Sequence, residues 1–160
     1  MSGALAGLHA AVIGSGPLAG AMAERIGSEG ARVVVAPTTE ALAEAVPEGA
    51  VVSLQDLRGG ANEAAAALDG VVALLRDNPD LRRVVVIGVE GPGASLARTL
   101  SVYATAHTAD RDVRINALSV ARTIDDATRQ ALGGIVTALL SGLLDAVRGQ
   151  TFELGPEAVR

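Results

Sequence analysis

The chain has 160 residues, 49% of them hydrophobic and 19% charged, with a formal net charge of −5 and a mean hydropathy of +0.38. Such apolar, charge-poor composition excludes a disordered segment and fits one folded domain over residues 1–160. The acidic balance, with Tyr103 and Phe152 as the sole aromatics, excludes a cationic, base-stacking surface, so neither a nucleic acid nor an anionic membrane is expected as partner.

Short β-branched runs alternate with helical stretches. The first run, His9 to Ile13, ends at Gly14. A helix is expected from Pro17 to Ser28, with proline at its first position and Gly30 as its stop. Ala31 to Val35 is a near-continuous apolar run, which predicts a strand buried on both faces of a parallel sheet. A short helix over Thr39–Ala45 and a strand over Ala50–Leu54 follow. Apolar residues at helical spacing over Asn62–Arg76 predict a helix that Asn78 and Pro79 end. Val84–Ile87, within Leu81–Gly88, reads as a strand, Ala94–Thr108 as a helix and Asp112–Leu118 as a strand. Ala127–Arg148 is expected to be the longest helix, followed by a short strand over Thr151–Leu154. This alternation predicts an α/β fold: a Rossmann-like three-layer α/β/α sandwich around a mainly parallel, shortened sheet.

Several chemistries are excluded by residue type. With no cysteine there is no disulfide, thiolate nucleophile or cysteine metal site, as expected of a cytoplasmic protein. His9 and His107 form no metal motif. The start lacks the basic region of a secretory signal. The longest uncharged apolar stretch, Gln130–Leu144, is short of the roughly 20 residues that span a bilayer.

Gly14-Ser15-Gly16-Pro17-Leu18-Ala19 fits G-x-G-x-x-A between an expected strand and helix. There the first glycine allows the tight turn, and the second admits a pyrophosphate to the backbone. The small third residue lets helix and strand pack closely, and the helix N-terminus offers amide donors. Gly14, Ser15, Gly16 and Leu18 are therefore the candidate cofactor-binding residues. The acidic residue that holds a ribose about 20 positions on is missing: Val35-Ala36-Pro37-Thr38 stands there. Pro17 also removes one amide. The turn then serves only close packing of the first strand on its helix, and no bound cofactor is expected, although NAD(P) is compatible with the glycines.

Three segments together resemble the short-chain dehydrogenase/reductase family, in particular its ketoacyl-reductase-like members. Ala11 to Val35 is similar to that family's first β-α-β unit. Val113-Arg114-Ile115-Asn116-Ala117-Leu118-Ser119 resembles the strand after its active-site helix. Leu140-Ser141-Gly142 through Gly149-Gln150-Thr151-Phe152-Glu153-Leu154-Gly155 resembles its closing segment. The resemblance implies an α/β oxidoreductase fold with NAD(P) as cofactor. It also sets out departures. Ile13 stands where the family has a threonine, Ser53-Leu54-Gln55-Asp56-Leu57 contains no N-A-G, and the catalytic Tyr-x-x-x-Lys is absent, its positions falling near Glu90 and Ala94.

In that family the tyrosine donates a proton to the developing alkoxide, while the lysine lowers its pKa and binds the nicotinamide ribose. Hydride transfer requires such a donor. The remaining catalytic candidates are Glu90, at the carboxyl edge of a strand, and Tyr103 with His107, one helical turn apart. The bland reading is a loop carboxylate, a packed tyrosine and a solvent-facing histidine. Asp125 and Asp126 point in different directions and are expected to cap the following helix.

The helix around 131–147 carries a broad apolar stripe with Gly, Ala, Ser and Thr on its other side, and Ala94–Thr108 holds Arg98 as its one charge. Helices this poor in charge are expected to be buried on more than one side. In the resembled family these helices and the last strand build dimers and tetramers. Leu100, Tyr103, Leu139, Leu140, Leu143 and Phe152 are therefore expected at an interface. The function expected is that of a catalytically degenerate relative acting as a homodimer, or in a hetero-oligomer with a full-length short-chain reductase. The alternatives are a minimal NAD(P)-dependent ketoreductase and a nucleotide- or acyl-ligand-binding module.

Overall fold

The computed structural model describes residues 3–38, 41, 49–56, 61–89, 102, 105–106, 110–120, 124–144 and 146–154. In chain order the elements are β1 (His9–Ile13), α1 (Pro17–Ser28), β2 (Arg32–Ala36), β3 (Ala50–Asp56), α2 (Ala61–Asp77), β4 (Arg83–Val89), β5 (Arg114–Val120), α3 (Asp126–Leu140) and β6 (Thr151–Leu154). The strands form one six-stranded sheet in the order β2-β1-β3-β4-β5-β6, and every pairing is parallel.

Alternation along each strand sorts the core into two layers. Ala11 and Ile13 of β1, Val51 of β3, Val84 and Val86 of β4, and Ile115 and Ala117 of β5 meet Val71, Leu74 and Leu75 of α2. On the opposite face Ala10, Val12, Val52, Val85, Ile87 and Leu118 meet Met22 and Ile26 of α1 and Leu132, Val136, Leu139 and Leu140 of α3. Helices therefore cover both faces, and the α/β/α sandwich read from the sequence is the observed architecture.

The buried stretches of the central strands hold no charge. Val84–Ile87 of β4 and Ile115–Leu118 of β5 are buried, as are Ala10–Ile13 of β1. Two arginines tie the segments that precede β5 and β6 to the rest. Arg111 donates to the backbone carbonyls of Leu75, Asn78 and Pro79 beyond and within the last turn of α2. Arg148 donates to the carbonyls of Arg111 and Val113. A guanidinium is suited to this, since its donors form a rigid fork and carbonyls at a helix C-terminus carry partial negative charge.

The structure changes three sequence expectations. The run Ala31–Val35, expected to be buried on both faces, is the edge strand β2, displaced by one residue, with Val34 and Val35 exposed at 43% and 53%. The amide of Ala31 is bonded to the Ile26 carbonyl at the end of α1, so the ladder begins at Arg32. The strand expected over Asp112–Leu118 begins at Arg114, because the carbonyls of Arg111 and Val113 are held by Arg148. The last helix, expected to reach Arg148, stops at Leu140. There the Ser141 hydroxyl turns back to the Ala138 carbonyl and accepts from the Leu143 amide, and Gly142 adopts a φ of 84°, which leaves the helix. The helix expected over Thr39–Ala45 lies almost entirely outside the described residues. Of the helix expected over Ala94–Thr108, residues 102, 105 and 106 are described, and all three are helical.

Candidate functional site

Strand β1 has β2 on one side and β3 on the other, so the chain reverses its winding direction there. In open parallel sheets a crevice opens at such a point, outside the carboxyl ends of the strands, and ligands bind in it. The carboxyl end of β1 is the glycine turn.

Gly14 and Gly16 are held there for different reasons. The Gly14 amide continues the ladder to the Ala36 carbonyl at 2.9 Å. Its φ is 150°, and a Cβ built on it would lie 2.9 Å from the Leu54 Cβ of β3. Gly14 is thus fixed by the packing of the turn against the neighbouring strand. Gly16 is the N-cap of α1, with φ 89° and ψ −176°, a conformation almost confined to glycine. Yet a Cβ there would meet nothing within 4 Å. The backbone over Gly16 faces open space, the room a phosphate needs to approach.

Helix α1 opens without a side-chain cap and without an acidic residue in its first turn, with Pro17 at its start. The proline has no N–H, so the amides of Leu18 and Ala19 are the first-turn donors left. The Leu18 side chain is half-buried against the α1/α3 layer of the core, so its backbone, not its side chain, is what it can offer a ligand. Ser15 is exposed.

Helix α3 starts at the same edge of the sheet and is closed differently. Asp125 is its N-cap and accepts from the Thr128 amide at 2.7 Å. Hydrogen bonds from the Thr128 side chain and then its backbone hold the Asp125 carboxyl below the usual carboxylate range. The expected cap is therefore in place, and α3's N-terminus is already neutralised. A carboxyl with a lowered folded-state pKa contributes stability above its unfolded value and loses it as pH falls through the folded one. Asp125→Asn retains an acceptor but no ionisation. Its melting temperature relative to wild type is therefore expected to be lowest near neutrality and to converge on wild type below about pH 4. Melting curves of both proteins from pH 7 to pH 3 check this, and a constant difference would remove the charge from the argument.

The second half of a dinucleotide site is less well provided. Ala36, which ends β2, is buried, and Pro37 and Thr38 follow it. The Thr38 hydroxyl accepts from the Ala41 amide. Among the described residues no carboxylate therefore stands where a ribose diol would be held. Farther along the crevice, β3 ends at Gln55 and Asp56, paired in register with Gly88 and Val89 of β4, and Ser119 of β5 lies opposite Gly88. Asp56 was not among the sequence candidates. Its signal was available only once β3 was seen to continue past Leu54 to the carboxyl edge next to the glycine turn.

Glu90, Tyr103, His107 and Leu100 lie outside the described residues. Of the other expected interface residues, Leu139 and Leu140 are 5% and 1% exposed and pack in the core of this chain. They have no surface for a partner, because the apolar stripe of α3 is spent on the sheet. Leu143, just past the helix, is 80% exposed, and Phe152 is half-buried against the α1/α3 layer. His9 is exposed. Among the described residues no group of three or more His, Cys, Asp or Glu side chains is gathered for a metal, and no helix is long and apolar enough to cross a membrane.

Solved structures share this arrangement of elements. An enoyl-[acyl-carrier-protein] reductase (NADH) from Aquifex aeolicus VF5 superposes with a TM-score of 0.71 at 15% identity, over 94% of this chain and 96% of that one. A short-chain dehydrogenase from Mycobacterium smegmatis gives 0.68 at 14% identity, over 97% and 94%. The fold is that of the short-chain dehydrogenases. A third such structure, from Oenococcus oeni PSU-1, gives 0.62 at 10% identity over 93% and 96%. Since nearly the whole of each chain is spanned, the likeness to the short-chain dehydrogenase fold takes in the full sheet and not the glycine turn alone. No family model and no curated protein matches the sequence.

Proposed function

We propose that this chain is a short-chain dehydrogenase-like protein that carries out no hydride transfer of its own and acts through association, as a homodimer or as a non-catalytic subunit beside a full-length short-chain reductase. One observation carries the reading: all 13 basic residues are arginines, and the chain contains no lysine. Reduction of a carbonyl by a nicotinamide places negative charge on oxygen and needs a proton donor of tuned pKa there. In the resembled family a lysine does the tuning and also holds the nicotinamide ribose, and an ammonium on a flexible stem is not replaced by arginine, whose guanidinium is planar and does not deprotonate. The end of β2, with Ala36, Pro37 and Thr38 and no carboxylate, points the same way for the adenine-side ribose.

A second reading is favoured by the open space over Gly16 and the uncapped start of α1: the turn still holds a phosphate group, and the chain is a nucleotide-binding module or a minimal NAD(P)-dependent reductase. If a dinucleotide binds, Gly16 and the Leu18 and Ala19 amides would meet its pyrophosphate, and the group would supply a hydride.

The two readings part on one experiment: titration with NADH and NADPH followed by cofactor fluorescence, with light scattering on the same sample. The proposed function expects no saturation up to millimolar cofactor and a particle larger than the 16.0 kDa chain. Saturable micromolar binding, with oxidation of NADH or NADPH on a ketone substrate, would overturn it.

A further inference from the structure

None of the described residues from 141 to 154 is buried, whereas Ile115–Leu118 of the neighbouring strand are. Strand β6 pairs with β5 over Ala117–Val120, yet Phe152 and Leu154 are only partly buried against the α1/α3 layer. The Thr151 hydroxyl is buried without a hydrogen-bond partner, which opposes docking. Apolar burial is the dominant favourable term in folding, and it does little for this segment.

What holds the segment is polar and gathered at the start of β6. The Gly149 amide donates to the Ile115 carbonyl and the Ala117 amide to the Gln150 carbonyl, both at 2.8 Å. The Asn116 side chain grips the chain on either side of Gly149, donating to the Val147 carbonyl and accepting from the Gln150 amide. The Arg148 guanidinium makes three bonds to the carbonyls of Arg111 and Val113. Each of these replaces a bond to water, so its net contribution is modest. At the other end the segment is already parted from α3, by the Ser141 hydroxyl and by Gly142 at a φ of 84°.

We infer that residues 141–154 form a strap that leaves and rejoins the sheet as one unit, turning about the break at Ser141 and Gly142, with Arg148 and Asn116 as its latch. The strands β1 to β5 stay folded while the strap is open, because no buried member of either core layer comes from it. Opening bares the β5 edge over Ala117–Val120 and gives the Thr151 hydroxyl to water. Such a unit, poor in buried apolar contacts, opens at a lower free energy than the whole fold. The inference goes beyond the proposed function and holds for a monomer or an oligomer alike.

Hydrogen exchange of the full chain, followed amide by amide by NMR, tests it. The bonded amides of Val147, Gly149 and Gln150 are expected to exchange at one common protection, at least tenfold below that of the buried β4 amides. Ala117, although it belongs to β5, joins the strap group because its amide is bonded to the Gln150 carbonyl. Low urea speeds the β4 amides far more than the strap amides, since strap opening exposes little surface. Arg148→Ala is expected to speed strap exchange at least tenfold, and Arg148→Lys less, because an ammonium keeps the charge but not the fork. The core amides speed up by no more than the same factor, as both openings start from the docked state. Thr151→Val removes the orphaned hydroxyl and is expected to slow strap exchange several-fold.

Val51→Ala, in the α2 layer of the core and three strands from β6, decides between a separate unit and one cooperative fold. It is expected to speed the slowest core amides while leaving the strap amides at the wild-type rate. Strap and β4 amides that share one protection and one urea dependence in the wild type, or that Val51→Ala speeds alike, would overturn the inference.

Discussion

Replacing Asn116 by alanine is expected to cost about 2–4 kcal/mol of folding stability, one of the two largest effects of a single side chain predicted here. Asn116 lies in β5, is 3% exposed, and works in both directions at once. Its amide nitrogen donates to the Val147 carbonyl at 3.2 Å, and its amide oxygen accepts from the Gln150 amide at 3.0 Å. The side chain therefore fixes the turn that leads into β6, more than 30 residues away. Alanine leaves a carbonyl and an N–H without partners in a partly buried place, at roughly 1–3 kcal/mol each before relaxation, and leaves a small void. Urea titration of wild type and Asn116→Ala measures the difference. Asn116→Asp separates the donor from the acceptor. It keeps an acceptor for Gln150 but turns a carboxylate oxygen towards the Val147 carbonyl, and burial of that charge raises its folded-state pKa. A group with a raised folded pKa is stabilising when protonated and loses that contribution as pH rises, so the deficit of Asn116→Asp relative to wild type is expected to shrink on acidification from pH 7 to pH 5. A pH-independent deficit would show that the amide's donor is not what matters.

The clamp also illustrates what could and could not be read from the sequence. Strand β4 and helix α1 were legible because their signals are local. Val84–Ile87 is an unbroken β-branched run, and Pro17 and Gly30 bracket twelve residues with one apolar face. The end of α3 was not legible, since its apolar stripe runs on through Leu143, Leu144 and Val147 while a serine hydroxyl and a left-handed glycine stop the helix. Nor was the status of β2, because an apolar run looks the same in the middle of a sheet and at its edge. Strand order decides between them, and strand order is a property of the whole chain. For the same reason the glycine turn could be named in advance, whereas Asp56 and Ser119 became neighbours of that turn's crevice only through the parallel register. What α1 leaves open and Asp125 closes at the start of α3 is partly local, and the cap was accordingly expected.

The second large effect concerns the glycine turn itself. Gly14→Ala is expected to destabilise the fold by about 3–4 kcal/mol, from overpacking against Leu54, at roughly 1–3 kcal/mol, and from an alanine at positive φ, at roughly 1–2 kcal/mol. Gly16→Ala is expected to cost only the backbone part, about 1–3 kcal/mol, because its Cβ enters open space. The order of the two, and not either value alone, tests the assignment of a packing reason to the first glycine and none to the second. Leu54→Gly in the Gly14→Ala background removes the Leu54 Cβ, the atom 2.9 Å from the added methyl, but leaves φ unchanged. The double variant is therefore expected to lose less stability than the sum of the single variants, a coupling that denaturant titration of the four proteins measures directly. Additivity would mean that the turn relaxes away from β3 when crowded. The close approach of Gly14 to Leu54 would then be incidental, and the glycine would have to be explained by what approaches the turn from outside.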